Sequence, residues 1–242
     1  MKKSAMTFAL ALLLTGLAAP AASAAESVTV IPHTEVVGFA EVEPVSRDQQ
    51  LAKQFQPFLE VRTGCVPFPA VDAAGNVSGG LAPTGGSSSG CSSHTGQVYA
   101  RSGWHNGAYA IMYSWYFPKD SPSPGLGHRH DWEGLVVWLD DPAAVNPQIA
   151  SISYFQHGNY RHTPATEDNT HQGRPLMAYY HTWPVNHTLW VSSRVGGQQP
   201  LIAWEDMTPE ARRALEVHDF GAANVPFNDA RFSSHLERAW YQ

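Results

Sequence analysis

Apolar residues along the chain recur mostly at the spacing of β-strands. They form short runs, and residues typical of turns separate these runs. Asn106-Gly107 stands between two of these runs, and this dipeptide favours the two-residue turn of a β-hairpin. The separators of the other runs carry Pro, Gly, Asn or Asp. Strands are predicted over residues 98–101, 109–117, 134–139, 149–155, 176–180 and 187–193.

Helical spacing of apolar residues is confined to three short segments, residues 46–60, 208–215 and 229–240. The first has a start signal at Ser46 or Asp48 and is expected to be disturbed at Pro57, which lacks a backbone N–H. The second opens at Thr208, with a proline at the first helical position. Because no helix alternates regularly with the strands, the pattern predicts a mostly β protein, a single-domain β-sandwich flanked by a few helices.

The composition agrees with a β-rich globular domain and argues against a nucleic-acid partner. Hydrophobic residues make up 43% of the 242 positions and charged residues only 15%. Gly 20 and Pro 18 supply many turns. The net charge is -6, and the basic residues form no run beyond Arg212-Arg213, so no basic surface for nucleic acid is predicted.

The beginning of the chain has the pattern of a secretory signal peptide. Met1-Lys2-Lys3 is positive, residues 6–19 are almost wholly apolar, and Ala22-Ser23-Ala24 is a small-residue cleavage site. A membrane anchor is the alternative, but the apolar stretch is shorter than the ~20 residues that span a bilayer. We expect a signal peptide over residues 1–24 and a secreted, extracellular domain over residues 25–242. Cleavage removes two lysines and no acidic residue, which lowers the net charge from -6 to -8.

The chain contains two cysteines, Cys65 and Cys91. In the oxidising environment of a secreted protein, two cysteines are expected to pair. The segment between them, residues 66–90, is rich in Gly, Ser and Pro, so a disulfide would close a flexible loop. Two buried free thiols are the alternative.

The densest polar cluster, residues 127–133 with the sequence Gly-His-Arg-His-Asp-Trp-Glu, directly precedes a predicted strand. Strand alternation puts Asp131 and Glu133 on one face, ~7 Å apart, where both can reach a single ion. Asp120 lies in a loop with Pro and Gly, residues 119–126, that could fold back over the same point. Three carboxylates at one point repel each other unless a cation compensates them. The cluster therefore predicts a divalent cation, Ca²⁺ first and Mg²⁺ or Mn²⁺ second.

Two other interpretations of this cluster stay open on the residues alone. His128 and His130 could begin a zinc site, but no further Cys or His cluster stands at a zinc spacing. Imidazole is an unusual direct ligand for Ca²⁺, so His128 could act through a water molecule. The cluster could also be a solvated edge in which Arg129 pairs with Asp131 or Glu133.

The heptapeptide at residues 127–133, together with residues 110–120, resembles the signature of the necrosis- and ethylene-inducing peptide-like proteins (NLPs). This family consists of secreted cytolytic toxins of plant-associated microbes, and the heptapeptide is its hallmark. The single cysteine pair and the segment 110–133 resemble the type 1 branch of the family. Further matches are the cysteine pair itself, residues 199–202 before Trp204, and residues 221–227.

The resemblance implies a fold and a metal site. The family has a central β-sandwich flanked by helices, similar to actinoporins and fungal lectins, which agrees with the strands predicted above. It holds a divalent cation at the bottom of an acidic surface cavity. The metal ligands of the family map onto Asp120, His128, Asp131 and Glu133 of this sequence.

The resemblance also implies roles for residues around the metal. Trp183 and His187 are the candidates for contact with a bound headgroup. The alternatives are that Trp183 packs in the core and that His187 only begins a strand. Arg129 and His130 belong to the heptapeptide, and we expect them to brace the site through hydrogen bonds.

By the same resemblance the protein is a toxin that performs no bond chemistry. NLPs recognise the sugar headgroup of glycosylinositol phosphorylceramides, sphingolipids of the plant plasma membrane, and then damage that membrane. A monomer in peripheral contact with the membrane is expected, and residues 110–133 resemble the stretch that plant immune receptors perceive. Two rivals stay open: a metal-assisted hydrolase with Asp131 or Glu133 as general base, and a non-toxic, lectin-like member of the fold.

Overall fold

The structure is a computed structural model that describes residues 28–242, and the predicted signal peptide lies outside the described residues. The strands are β1 (Val30–Ile31), β2 (Phe58–Val61), β3 (Val77–Ser78), β4 (Val98–His105), β5 (Ala108–Asp120), β6 (His128–Leu139), β7 (Ile149–Gln156), β8 (Asn159–Thr163), β9 (Thr170–His171), β10 (Arg174–Tyr180), β11 (Thr188–Val191) and β12 (Leu201–Ala203). The helices are α1 (Arg47–Gln54), α2 (Pro209–Val217) and α3 (Phe232–Arg238), with a 3-10 helix at Trp204–Asp206.

Two sheets pack face to face and form the predicted β-sandwich. The larger sheet has the strand order β12-β4-β5-β6-β7-β8, and its neighbours are antiparallel except for β12 and β4. The smaller sheet has the order β11-β10-β2, with β9 also pairing with β10. The ring of Phe117 on β5 stacks on the ring of Tyr179 on β10, with 3.9 Å between centroids. The predicted fold class is therefore confirmed.

The C-terminal part of the chain covers the outer face of the larger sheet. Phe227 packs against Tyr99 and Trp132, with ring centroids 5.4 and 5.5 Å away. Trp138 packs against Trp240 at 5.1 Å. Because both faces of this sheet are covered, β5 and β6 are buried along almost their whole length, which explains their long apolar runs.

The first helix is shorter than the sequence predicted. The Ser46 hydroxyl accepts a hydrogen bond from the backbone N–H of Gln49, and the Gln49 side chain accepts one from the backbone N–H of Ser46. The helix ends at Gln54, and the chain continues as the extended strand β2. Pro57 has no N–H to donate and disfavours helical geometry at the preceding residue. The prediction of one helix through this whole segment is therefore wrong beyond its first half.

The other predicted elements are present, mostly as longer strands. Asn106 and Gly107 have φ angles of 47° and 81°, and they form the predicted tight turn between β4 and β5. The Thr208 hydroxyl caps α2 as predicted, whereas α3 is shorter than the predicted segment. The short strands β1, β2, β3, β8, β9 and β12 were not predicted. Within residues 28–242, no helix combines the length and apolar content that crossing a bilayer requires.

Cys65 and Cys91 form the predicted disulfide. The loop that it closes lies against the end of β5, where the Lys119 side chain is buried beneath it. The Lys119 ammonium donates hydrogen bonds to the carbonyl oxygens of Thr84 (2.9 Å) and Gly86 (3.0 Å). The loop is therefore anchored directly beside the strand end that carries the acidic cluster.

Candidate functional site

A cavity of about 380 Å³ lies where β6 extends beyond the end of β7. The residues that line one side of it include all four predicted metal ligands, Asp120, His128, Asp131 and Glu133. The side chains of Asp131 and Glu133 lie on one face of β6, as strand alternation predicted. The structure therefore brings together, around one cavity, the carboxylates that the sequence singled out.

Asp120 reaches the cavity as the last residue of β5 and not from a folded-back loop, as the sequence suggested. The chain turns through residues 121–127 and returns as β6, so Asp120 pairs with His128 in the antiparallel register. Gly127 has a φ of 94°, and a Cβ atom there would lie 2.1 Å from the Asp120 carbonyl oxygen. The turn that opposes Asp120 to His128 thus requires the glycine that opens the heptapeptide.

The ligand atoms of Asp120, His128 and Asp131 converge. One such atom from each residue lies within 4.8 Å of the other two. Nε2 of His128 is 3.8 Å from Oδ2 of Asp120. Nδ1 of His128 is 2.7 Å from the His130 carbonyl oxygen, which can only accept a hydrogen bond. This assigns the proton to Nδ1 and leaves the lone pair of Nε2 free for a metal ion.

The acidic side chains are buried without a lysine or arginine partner among the described residues. Asp120, Asp131 and Glu133 are 1%, 6% and 5% exposed. In the described part of the chain, no Lys or Arg nitrogen lies within 4.0 Å of any of these carboxylates. Arg129 donates instead to the carbonyl oxygen of Gly79 at 2.7 Å. The interpretation of the cluster as a solvated, ion-paired edge is therefore wrong.

This burial has a strong effect on ionisation. Burial, and next the Asp120 carboxylate, raise the pKa of Asp131 well above its usual range. Burial, with the Asp131 and Asp120 carboxylates, likewise raises the pKa of Glu133. Oε2 of Glu133 has no hydrogen-bond partner within the described residues. A cation would stabilise this unpartnered oxygen and the two carboxylates beside it. The set of three carboxylates and one imidazole suits a hard divalent ion.

A relay of hydrogen bonds holds Asp120 in place. Its Oδ1 accepts hydrogen bonds from the backbone N–H of His187 (3.1 Å) and from Nδ1 of His187 (2.7 Å). Nε2 of His187 is 3.1 Å from Nδ1 of His181, which is 3.0 Å from Oγ1 of Thr63. His187 is buried and lines the cavity, so its direct contact is Asp120. Contact between His187 and a headgroup stays a prediction.

Tyr179 holds the Asp131 carboxylate in place, as His187 holds that of Asp120. Its hydroxyl donates a hydrogen bond of 2.7 Å to Oδ2 of Asp131. The Tyr179 ring lies between the rings of Phe117 and His187, at 3.9 and 5.0 Å. Sequence reasoning missed Tyr179, on β10 of the smaller sheet, and His181, directly after that strand, because no local pattern marks either residue.

The relay leads to a prediction for Gly64→Ala. Gly64 has a φ of 87°, and a Cβ there would lie 2.6 Å from Nε2 of His187. We expect the alanine to displace His187 and to lower metal affinity about tenfold, the effect of disturbing groups that orient ligands. Isothermal titration with Ca²⁺ measures this effect.

The matched control is Gly107→Ala. Gly107 has a φ of 81°, but no atom lies within 4 Å of a Cβ at that position. Both variants should lose ~1 kcal/mol of stability from the left-handed backbone, whereas only Gly64→Ala should bind metal more weakly. Equal metal affinity in the two variants would show that the relay does not position Asp120.

His130 points away from the cavity. Nδ1 of His130 is 2.6 Å from the Tyr116 hydroxyl, and its ring packs 5.1 Å from the ring of Phe220. Burial is the main cause that lowers its pKa to about 4, so the ring is neutral at physiological pH. The interpretation that His128 and His130 bind one zinc ion together is therefore wrong. Both Arg129 and His130 make hydrogen bonds that suit a bracing role, which stays a prediction.

The backbone at His130 also determines where His128 faces. Its φ of 61° is left-handed, so the regular alternation of β6 is interrupted between His128 and Asp131. Unbroken alternation would place these two side chains, three positions apart, on opposite faces. The irregularity lets both face the cavity.

Trp183 lies outside the cavity lining, on the loop before β11. It is 69% exposed, and Val185 on the same loop is 45% exposed. The alternative that Trp183 packs in the core is therefore wrong. Contact between Trp183 and a headgroup stays a prediction.

The chain resembles known proteins along most of its length. Residues 49–239 match a family described as necrosis inducing protein (NPP1). NLP effector protein 10 of Phytophthora capsici is 51% identical over 216 residues, which cover 88% of this chain and 92% of that protein. The solved structure of NLPPya in complex with mannosamine has a TM-score of 0.84 at 49% identity, covering 88% of this chain and 100% of the other.

A further solved structure is that of the non-toxic HaNLP3 protein. It has a TM-score of 0.83 at 44% identity, and the match covers 86% of this chain and 98% of the other. The matched family and the relatives bear the names of effectors and necrosis-inducing toxins and not of enzymes. These names agree with the prediction of a non-enzymatic protein.

Proposed function

Because this chain belongs to the family of necrosis-inducing proteins that its heptapeptide indicated, we propose that it is a secreted, metal-dependent cytolysin acting on plant membranes. The observation that carries the proposal is the convergence of three ligand atoms within 4.8 Å, beside the unpartnered oxygen of Glu133. All of these groups line a cavity that is open to the surface. The cavity can therefore present a cation to a ligand that arrives from solvent.

The residues that would hold the ion are Asp120, His128, Asp131 and Glu133. We propose Ca²⁺ ahead of Mg²⁺ or Mn²⁺. The flexible coordination of Ca²⁺ would allow sugar hydroxyls to replace water, whereas Mg²⁺ dehydrates reluctantly. Tyr179 and His187 orient the carboxylates of Asp131 and Asp120.

The proposed ligand is the sugar headgroup of a membrane sphingolipid, a glycosylinositol phosphorylceramide. NLPPya, a relative, has a solved complex with an amino sugar. An ammonium group would be attracted to the acidic side of the cavity, and the hydroxyl groups of a sugar would hydrogen-bond to the carboxylates. Trp183, which is exposed on the loop before β11, would stack on the apolar face of the sugar ring.

The loops around the cavity supply the proposed peripheral contact with the membrane. Trp183, Val185 and Leu126 are 69%, 45% and 45% exposed. Side chains of this kind can enter the interfacial region of a bilayer without spanning it. The negative net charge of the chain opposes attraction to anionic lipids, so recognition depends on the specific contacts in the cavity.

Leakage of a dye from vesicles tests this proposal. In Ca²⁺, the protein should release dye from vesicles that contain plant glycosylinositol phosphorylceramide and not from vesicles of phosphatidylcholine alone. EDTA should abolish the release, because the buried carboxylates then lack a cation to bind the headgroup. Leakage that is equal in EDTA, or equal from the two kinds of vesicle, would contradict the proposal.

The same assay separates the rival functions. Free sugar or headgroup in the supernatant would favour a hydrolase, and the family gives no support to one. Binding to the vesicles without leakage would favour a lectin-like protein, and the non-toxic relative gives this rival a precedent in the same fold. Infiltration of the protein into leaves, with a chelated sample beside it, relates the leakage to necrosis.

A further inference from the structure

The cavity continues past the acidic side onto the outer face of the larger sheet. Strand β7 ends at Gln156, two residues beyond Tyr154, which pairs with Leu135 of β6. Past this point no strand of the described residues pairs with that edge of β6, and the cavity passes around the end of β7. We call its second half the outer compartment; it is lined by Met112, Trp132, Gly134, Phe155, Tyr160, His235 and Arg238.

Arg238 gives the outer compartment a positive charge. It lies at the end of α3, with its guanidinium 5.6 Å from the Phe155 ring centroid and 5.9 Å from that of Tyr160. Nη2 donates one hydrogen bond to the Gly158 carbonyl oxygen at 2.6 Å. Among residues 28–242, no carboxylate lies within 4.0 Å of this guanidinium. Its remaining N–H groups are therefore available to an anion.

The neighbours of Arg238 are neutral hydrogen-bonding groups. The Tyr160 hydroxyl lies 2.9 Å from Nδ1 of His235. Burial, together with Arg238 and Arg231, lowers the pKa of His235 to about 4, so this ring carries no charge at physiological pH. Trp132 also lines the cavity, and its indole N–H has no hydrogen-bond partner in the described part of the chain. The full positive charge of the compartment therefore comes from Arg238.

One cavity thus has three carboxylates on one side and an unpaired guanidinium on the other. We propose that the outer compartment binds an anionic group, a carboxylate or a phosphate, that is linked to the sugar bound on the acidic side. This inference rests on the function proposed above, and it makes the preferred ligand a glycan of at least two parts. A guanidinium presents paired N–H groups that match the oxygens of a carboxylate or phosphate. The aromatic rings of Phe155 and Tyr160 position the Arg238 guanidinium through cation–π contacts.

The size and polarity of the cavity support this assignment. A volume of about 380 Å³ is in the range of small-molecule sites. The acidic side would repel an anionic ring, and Arg238 would repel an ammonium group, so a ligand with both charges binds in one orientation.

Isothermal titration in Ca²⁺ tests the inference with three proteins: the unmodified chain, Arg238→Gln and Arg161→Gln. Arg161 is the matched control, because it is exposed on the same strand as Tyr160 but points to the opposite face. The ligands are mannosamine and three mannosamine conjugates, whose second ring is neutral, carries a carboxylate or carries a phosphate.

The unmodified chain should bind at least one anionic conjugate about tenfold more tightly than the neutral conjugate. Arg238→Gln should lose this preference and keep its affinity for mannosamine, whereas Arg161→Gln should behave like the unmodified chain. The tighter of the two anionic conjugates identifies whether a glycan carboxylate or a headgroup phosphate is the natural group.

If the unmodified chain binds the neutral and anionic conjugates equally, the anion site in the outer compartment is overturned. Binding of mannosamine in the same experiment would still support the proposed function. An equal loss in Arg161→Gln would also overturn the anion site, because the preference would then come from overall charge. Anionic conjugates that bind through Arg238 although mannosamine alone does not would uphold the compartment and contradict the sugar site. Binding of no ligand would overturn both.

Discussion

Asp131→Asn is expected to abolish cation binding and membrane lysis and to leave the fold intact. Asp131 supplies one of the three converging ligand atoms, and asparagine cannot provide the negative charge that holds a divalent ion. Metal affinity should fall more than ~100-fold, beyond the loss that accompanies removal of a group that merely orients a ligand. Titration with Ca²⁺ and dye leakage from sphingolipid vesicles measure the two effects.

The asparagine should not damage the structure. Its side-chain oxygen can still accept the hydrogen bond from the Tyr179 hydroxyl. Because one buried carboxylate is removed, the melting temperature in EDTA should equal or exceed that of the unmodified chain. Asp168→Asn makes the same chemical change at an exposed residue and should alter none of these quantities. Full leakage activity in Asp131→Asn would be decisive against the assigned metal site.

In the chelated protein, the contribution of Asp131 and Glu133 to stability is expected to fall as the pH rises above about 4, and Ca²⁺ is expected to restore it. Asp131 and Glu133 have pKa values raised in the folded state, so the native protein holds their protons when the unfolded chain has released them. Unfolding then releases protons, and stability falls with rising pH from the unfolded pKa up to the folded pKa. The slope is ~1.4 kcal/mol per pH unit for each proton that only the native state retains.

Melting curves in EDTA between pH 4.5 and 7, with and without excess Ca²⁺, measure this behaviour. At 100 times its Kd, the ion should add ~2.7 kcal/mol, or roughly 5–10 °C, at pH 7 and less at pH 5, where protons compete for the carboxylates. In EDTA, the stability of Glu133→Gln relative to the unmodified chain should increase as the pH rises. Comparison with this variant cancels the opposite contribution of six histidines whose pKa values burial lowers, His94, His130, His162, His181, His218 and His235. Identical profiles for the two proteins would contradict the prediction.

Much of the fold follows from local patterns. The strand runs, the Asn106-Gly107 turn and the capped start of α2 depend on neighbouring residues, and each was predicted. The predicted length of the first helix was too great. The apolar residues at the start of β2 happen to continue the helical spacing of apolar positions in α1. The short strands were missed because two to five residues carry too little periodicity to be recognised.

The family, the disulfide and the pair of carboxylates on one face of β6 could be predicted without coordinates, because they follow from a motif, a count of cysteines and a local alternation of side chains. The position of His128 beside these carboxylates could not be predicted in this way, because the left-handed backbone at His130 interrupts the alternation. Tertiary packing also brought Tyr179 from the smaller sheet to Asp131, and Arg238 from the last helix to the cavity. Contacts between residues so far apart in the chain depend on how the sheets and helices pack, and no short-range pattern encodes that packing.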